Sequence, residues 1–178
     1  MRWDESNLPD DPFVYRALEG GHWSRASNAV RAHALLRHGG IYLDTDVEVL
    51  RSFEPLRELA CFTAFQYEPD GTPYKPFEMC VNNAVLGARP GHPYIEALLD
   101  RIPRHVEGPG AFDIMGPQMA TAVAIDFGLK GYVPAGITLA EDTTILPKES
   151  FYPYFYREER PPTIGPETYA VHLWAKRW

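Results

Sequence analysis

Asp44 and Asp46 stand one residue apart in the run GIYLDTDVEVL, residues 40–50, which otherwise has the apolar alternation of a β-strand. Successive strand side chains point to opposite faces. A continuous strand would place Ile41, Leu43, Thr45, Val47 and Val49 on one face, and Tyr42, Asp44, Asp46 and Glu48 on the other. The first set suits a core. The second gathers three carboxylates whose repulsion is costly unless water or a cation relieves it. Mg²⁺ and Mn²⁺ take oxygen ligands and complete their shells with substrate phosphates. Two carboxylates with few other protein ligands therefore suit a metal that awaits a diphosphate. A bare D-x-D recurs by chance, and a solvated acidic edge that discourages aggregation is its plainer reading.

A second chemistry fits the same residues: Asp44 attacking phosphorus with Asp46 as acid. The segment IYLDTDVEV superficially resembles the haloacid dehalogenase motif. That chemistry also needs a downstream lysine and a late acidic pair. None of Lys75, Lys130, Lys148 and Lys176 follows a convincing strand, and no G-D-x-x-x-D accompanies the late acidic pair Glu141-Asp142. The sequence disfavours it.

The elements that must position the aspartates follow from local pattern. HWSRASNAVRAHALLRHGG predicts a helix, with serines near its start to cap it and Gly39-Gly40 to stop it. Asn28 and Arg31, three apart, share a face of that helix. LACFTAFQYE and MCVNNAVLGAR predict strands, HPYIEALLDRI a helix with Pro93 in its first turn, and DIMGPQMATAVAIDFG a helix ending at Gly128. YVPAGITLA, TTILP and TYAVHLWA add late strand-like pieces, while SFYPYFYREERPPTIGPETY reads as ordered coil on a surface. Strands and helices alternate, so the expected class is α/β with a mixed sheet.

Bulk properties narrow the function classes. The 178 residues are 45% hydrophobic and 13% aromatic, enough for one globular domain, taken as residues 1–178. A net charge of -7 argues against a nucleic-acid binder. No apolar run reaches the 18 or so residues of a membrane span, and the acidic start MRWDESNLPDD is unlike a secretory signal. Cys61 and Cys80 sit in apolar surroundings and read as buried free thiols, which fits a reducing, cytoplasmic setting.

Taken whole, the chain resembles the family 32 glycosyltransferases, the sugar-binding D-x-D group. RWDESN is similar to that family's W-(D/N)-x-x-N segment, and SRASNAVRAHALLRHGGIYLDTDVEVL to its helix–Gly-Gly–strand block. VNNAVLGARPGHPYIEALL, MGPQM and YAVHLWAKRW resemble later blocks in the right order. The resemblance implies a GT-A-like nucleotide-diphospho-sugar transferase fold. It also implies retaining transfer of a hexose from a nucleotide-sugar donor to a glycan, polysaccharide or small-molecule acceptor, with Mn²⁺ or Mg²⁺. By position, Asp46 would bind the metal, and Asp44 the ribose, the metal shell or both. Arg31 would face the donor sugar and diphosphate, with Asn28 and Tyr42 also in the donor site. Asn82 and Asn83 would line the sugar pocket. His172 would close over the site as a third metal ligand, and Trp178 as a donor contact. Trp174 reads more readily as core packing. Small size and a bias to arginine over lysine suggest bacterial polysaccharide or natural-product glycosylation, peripheral to a membrane.

Three departures bear on activity. Relatives begin with a strand of the type IPKIIHxxW upstream of the RWDESN equivalent, so the expected fold is N-terminally shortened, with an exposed edge that a homodimer would cover. Asn28 stands where relatives have an aspartate that binds sugar hydroxyls. Lys176-Arg177 replaces a Gly-Ser. The alternative these support is a degenerate, non-catalytic protein of the same fold that binds a sugar, nucleotide or partner.

Overall fold

The computed structural model describes residues 6–67, 79–102, 116–155, 158–160 and 163–175. Helix α1 (Pro12–Glu19) starts at Asp11, whose side chain accepts from Phe13 N, with Pro12 in the first turn. Sequence pattern alone did not mark this helix. Helix α2 (Trp23–His38) follows, and its N-cap is His22 without a side-chain bond, so the serines do not cap it. They lie inside the helix, where Ser27 Oγ donates to the Ser24 carbonyl at 2.8 Å. Gly39 ends the helix at φ 63°, and a Cβ there would lie 2.9 Å from the Ala88 carbonyl oxygen. Only glycine fits that turn.

The long strand expected over residues 41–50 is broken at the aspartates. Strand β1 (Gly40–Leu43) and strand β2 (Val47–Val49) flank a turn at Thr45-Asp46 and belong to different sheets. The three carboxylates therefore do not share one face. Glu48 instead pairs with Arg160 at the surface. A mixed five-stranded sheet forms from β1, β3 (Cys61–Tyr67), β4 (Cys80–Ala88), β5 (Ile137–Thr138) and β6 (Thr143–Leu146), in the order β1-β4-β3-β6-β5. Its β3–β6 pair is parallel and the others antiparallel. Strand β2 pairs antiparallel with β7 (Ala170–His172), matching Val47 to His172.

Two apolar layers sandwich the large sheet. On one face, Phe65, Val81, Leu86 and Ile145 pack with α1, α2, α3 (Pro93–Asp100) and α4 (Pro117–Asp126). On the other, Phe62, Ala64, Ala84 and Val85 pack under Phe151, Tyr152 and Ala170. Phe151 and Tyr152 are buried, so this part of the Pro- and Tyr-rich segment is core rather than surface coil. Gly87 makes room for the Phe62 ring, which a Cβ would meet at 2.1 Å. Cys61 and Cys80 are free and buried.

One irregularity shapes the site. Between the pairs Phe62–Gly87 and Ala64–Asn82, β4 carries more residues than β3, so β4 bulges. Thr63 Oγ1 lies within hydrogen-bond reach of the carbonyls of Asn82 and Val85 and holds the bulge. A regular strand would send Asn82 and Asn83 to opposite faces; the bulge lets both reach one cleft.

Candidate metal and sugar site

A cleft of about 280 Å³ opens beside the end of β1, lined by α2, the β4 bulge, the start of α4 and β7. Asn28, Arg31, Asp44, Asn82, Asn83 and His172 all line it. The helix contributes Asn28 and Arg31 from one face, both buried. Asp46 sits just behind, 6% exposed, with its Oδ1 3.4 Å from His172 Nε2. Trp178 lies outside the described residues.

The two carboxylates are held differently. Asp44 Oδ1 accepts from the Tyr42 hydroxyl at 2.7 Å and pairs with Arg31 Nη2 at 3.1 Å. Burial alone would raise this carboxyl. His172, 3.9 Å away and so an electrostatic neighbour rather than a hydrogen-bond donor, joins Arg31 and Tyr42 to hold it below its ordinary value. Burial raises the Tyr42 phenol despite the Arg31 guanidinium 4.3 Å above its ring, so the hydroxyl stays a donor. Asp46 Oδ2 accepts from Ala175 N at 2.9 Å, whereas its Oδ1 is buried with no hydrogen-bond partner. A carboxylate oxygen left this way is costly unless something else satisfies it.

Asp44, Asp46 and His172 each offer one ligand atom, all within 4.8 Å of one another. Hard divalent cations fit two carboxylate oxygens with an imidazole nitrogen close by. The orphaned Asp46 Oδ1 is the best fit. His172 fits less readily, because its Nδ1 accepts from Trp174 N at 3.2 Å, which leaves the neutral ring's proton on Nε2. To ligate through Nε2, the ring must give up that backbone bond.

Arg31 has little left for a ligand. Its Nε donates to the Ser27 carbonyl (3.2 Å), Nη1 to the Asn83 carbonyl (2.7 Å), and Nη2 to Ser27 Oγ (3.2 Å) as well as Asp44. The guanidinium thus positions Asp44 and the β4 bulge, which differs from the expectation that it faces the diphosphate. Tyr42 likewise buttresses Asp44 and is not among the residues that line the cleft.

Sequence reasoning missed Gln66, Ser24 and Ser27 as cleft residues, and weighed Trp174 toward core. Trp174 is half-buried, with φ 54° and its ring centroid 4.2 Å from that of His172. Its spacing from His172 was the available signal. Gln66 had none, because only the bulge brings its strand to the cleft.

Residues 9–63 match the family described as a glycosyltransferase sugar-binding region containing a DXD motif. That stretch of the chain, which holds both aspartates, is similar to a DXD glycosyltransferase region. A human alpha-1,4-N-acetylglucosaminyltransferase is 25% identical over 158 residues, covering 84% of this chain and 42% of its own length. Lactosylceramide 4-alpha-galactosyltransferases of gorilla and rat are each 28% identical, covering 85% and 94% of this chain and 45% and 47% of their own. The chain thus spans less than half the length of these relatives. The DXD region contains α1, α2, both aspartates, Asn28 and Arg31. With its mixed sheet, the fold is GT-A-like. Among the described residues, no helix is long and apolar enough to cross a membrane.

Proposed function

We propose that this chain transfers a hexose from a nucleotide-sugar donor to an acceptor hydroxyl, with retention at the anomeric carbon, and that residues 1–178 act as one glycosyltransferase unit. The observation that carries the reading is the buried, unpartnered Asp46 Oδ1 beside Asp44 and His172. Asp44 and Asp46 would hold Mn²⁺ or Mg²⁺, with His172 as the third donor. When bound, the ion supplies charge neutralisation for the departing nucleoside diphosphate. Arg31 and Tyr42 keep Asp44 ionised and aimed. Asn28, Asn82 and Asn83 line the sugar subsite with neutral amides, together with Trp174. Reaction at the cytoplasmic face of a membrane belongs to the same proposal. So does a homodimer covering β1, an edge strand of the large sheet, and light scattering reads that state directly.

Thermal-shift titration with UDP-, GDP- and dTDP-sugars, each with Mn²⁺ and with EDTA, tests the reading. A metal-dependent rise for one donor, absent in Asp46→Ala, supports it. A folded protein that responds to no donor overturns it in favour of the degenerate binder.

A further inference from the structure

The cleft holds two chains of side-chain amides, each oriented by the backbone. In the first, Ala84 N donates to Asn82 Oδ1 at 2.7 Å, which fixes that oxygen as the acceptor. Asn82 Nδ2 must then be the donor, and it reaches Gln66 Oε1 at 2.7 Å. Cys80 Sγ approaches the same oxygen at 3.6 Å. Gln66 Nε2 is therefore the donor end of this chain. It has no hydrogen-bond partner among the described residues, on a side chain that is 3% exposed and lines the cleft.

The second chain ends oppositely. Asn28 Nδ2 donates to the Ser24 carbonyl at 3.0 Å, so Asn28 Oδ1 is the acceptor. Asn83 Nδ2 donates to it at 2.8 Å, leaving Asn83 Oδ1 as an acceptor with no donor among the described residues. The oxygen faces Gly116, the residue before α4, where even a Cβ would stay 3.8 Å away. Among the described residues, one chain thus ends in an unused donor and the other in an unused acceptor.

We propose that Gln66 and Asn83 form a hydroxyl-reading pair, with Gln66 Nε2 donating to, and Asn83 Oδ1 accepting from, ring hydroxyls of the sugar being transferred. The inference rests on the glycosyltransferase reading and deepens it by naming the sugar's chemistry. A hydroxyl both donates and accepts, so it satisfies such a pair. A carboxylate would leave Asn83 Oδ1 without a donor, and an ammonium would leave Gln66 Nε2 without an acceptor. At these two positions the subsite therefore calls for hydroxyls of the sugar and not for a charged substituent. Asn28 serves it by orienting Asn83, a task an amide performs because it donates to Ser24 and accepts from Asn83 together.

Calorimetric titration in Mn²⁺ of UDP against UDP-galactose, GDP against GDP-mannose and dTDP against dTDP-glucose tests the pair. The wild-type protein is compared with Gln66→Glu, which keeps the bond from Asn82, and with Gln66→Met. The expected result is a rise of about tenfold in Kd for the nucleotide-sugar that the wild type binds, the scale of one hydrogen bond in a desolvated site. Kd for the matching nucleoside diphosphate stays unchanged. A monodeoxy analogue of that donor should lose affinity for the wild type and lose no more on passing to either variant. Unchanged donor affinity in folded variants overturns the proposal, as does equal loss for donor and nucleoside diphosphate. Failure of the wild type to bind any of the six compounds overturns the glycosyltransferase reading itself. That failure appears before any variant is made.

Discussion

His92 and His172 stand in the same local arrangement. Each is 6% exposed, and each ring accepts at Nδ1 from the backbone N–H two residues on, Tyr94 and Trp174, both at 3.2 Å. They part company at Nε2. His92 donates to the Glu141 carbonyl at 2.8 Å, which completes its hydrogen bonding. In doing so it caps α3 and ties it to a turn where Glu141 and Asp142 hold positive φ. His172 Nε2 faces two carboxylates at 3.4 and 3.9 Å and hydrogen-bonds to neither. A buried imidazole finished by the protein is structural; one left facing an unpartnered carboxylate oxygen suits the ligand role proposed for His172. Burial and the backbone bond at Nδ1 are the same in both. The open second nitrogen is what separates them.

That contrast can be broken by mutation. Asp46→Ala has the largest expected effect: donor turnover in Mn²⁺ falls about 100-fold or more, with Tm within a few degrees of wild type. A protein with full turnover would remove the metal role from the site. Next come the two histidines themselves. His172→Ala should weaken Mn²⁺ binding about tenfold while barely moving Tm. His92→Ala should leave Mn²⁺ affinity alone and cost about 2 kcal/mol through the lost cap and the orphaned carbonyl. In a chain of this size that lowers Tm by about 4–8 °C. The reverse pattern would collapse the distinction.

Acid sharpens it further. Burial, outweighing the Glu141 carbonyl and nearby acids, lowers the His92 pKa from its ordinary 6.5. Its contribution to stability is complete above pH 6.5 and is lost as pH falls from there through the folded value, where the proton on Nδ1 displaces Tyr94 N. Denaturant melts of wild type should show this loss, and His92→Asn, which can still cap α3, should not. Asp44, also lowered, contributes stability that is whole above 3.8 and declines only in more acid solution. The two losses should therefore appear in separate windows. Glu141→Gly has the smallest expected effect, a gain of up to about 1 kcal/mol. Glycine is at ease at φ 54°, and His92 uses only the carbonyl.

The sequence made some of this legible and hid the rest for identifiable reasons. The α/β class and mixed sheet follow from period and punctuation, and the helix from 23 to 38 ends where Gly39 demands it. Helix α1 escaped notice because its eight residues are short for a periodic signal, although Asp11-Pro12 marked its start. The break at Thr45-Asp46 was hidden because β-alternation continues unchanged across it; only tertiary pairing, with β4 on one side and β7 on the other, divides the strand. Asp44, Asp46, Asn28, Arg31 and His172 could be nominated from spacing and resemblance, and the structure brings them together. The commitment of Arg31 to Asp44, Asn83 and Ser27 could not be foreseen, since it depends on contacts 13 and 52 positions away. Gln66 depends on a bulge that no local pattern announces.

The parting of β1 from β2 bears on how the protein moves as well as on where its carboxylates lie. Asp44 hangs from the large sheet through Ala84, whereas Asp46 and His172 ride on a ribbon of three residue pairs, joined again where Asp46 O accepts from Leu173 N. So short a ribbon is held by its packing under the large sheet as much as by its own pairs, and a local opening of it costs less than global unfolding. Each such excursion would carry two of the three donor groups away from the third. A ligand spanning Asp44 and Asp46 would act as a clasp between the two sheets. Its arrival would be felt first in the amide exchange rates of Val47–Val49 and Ala170–His172, while those of β3 and β4 kept their pace.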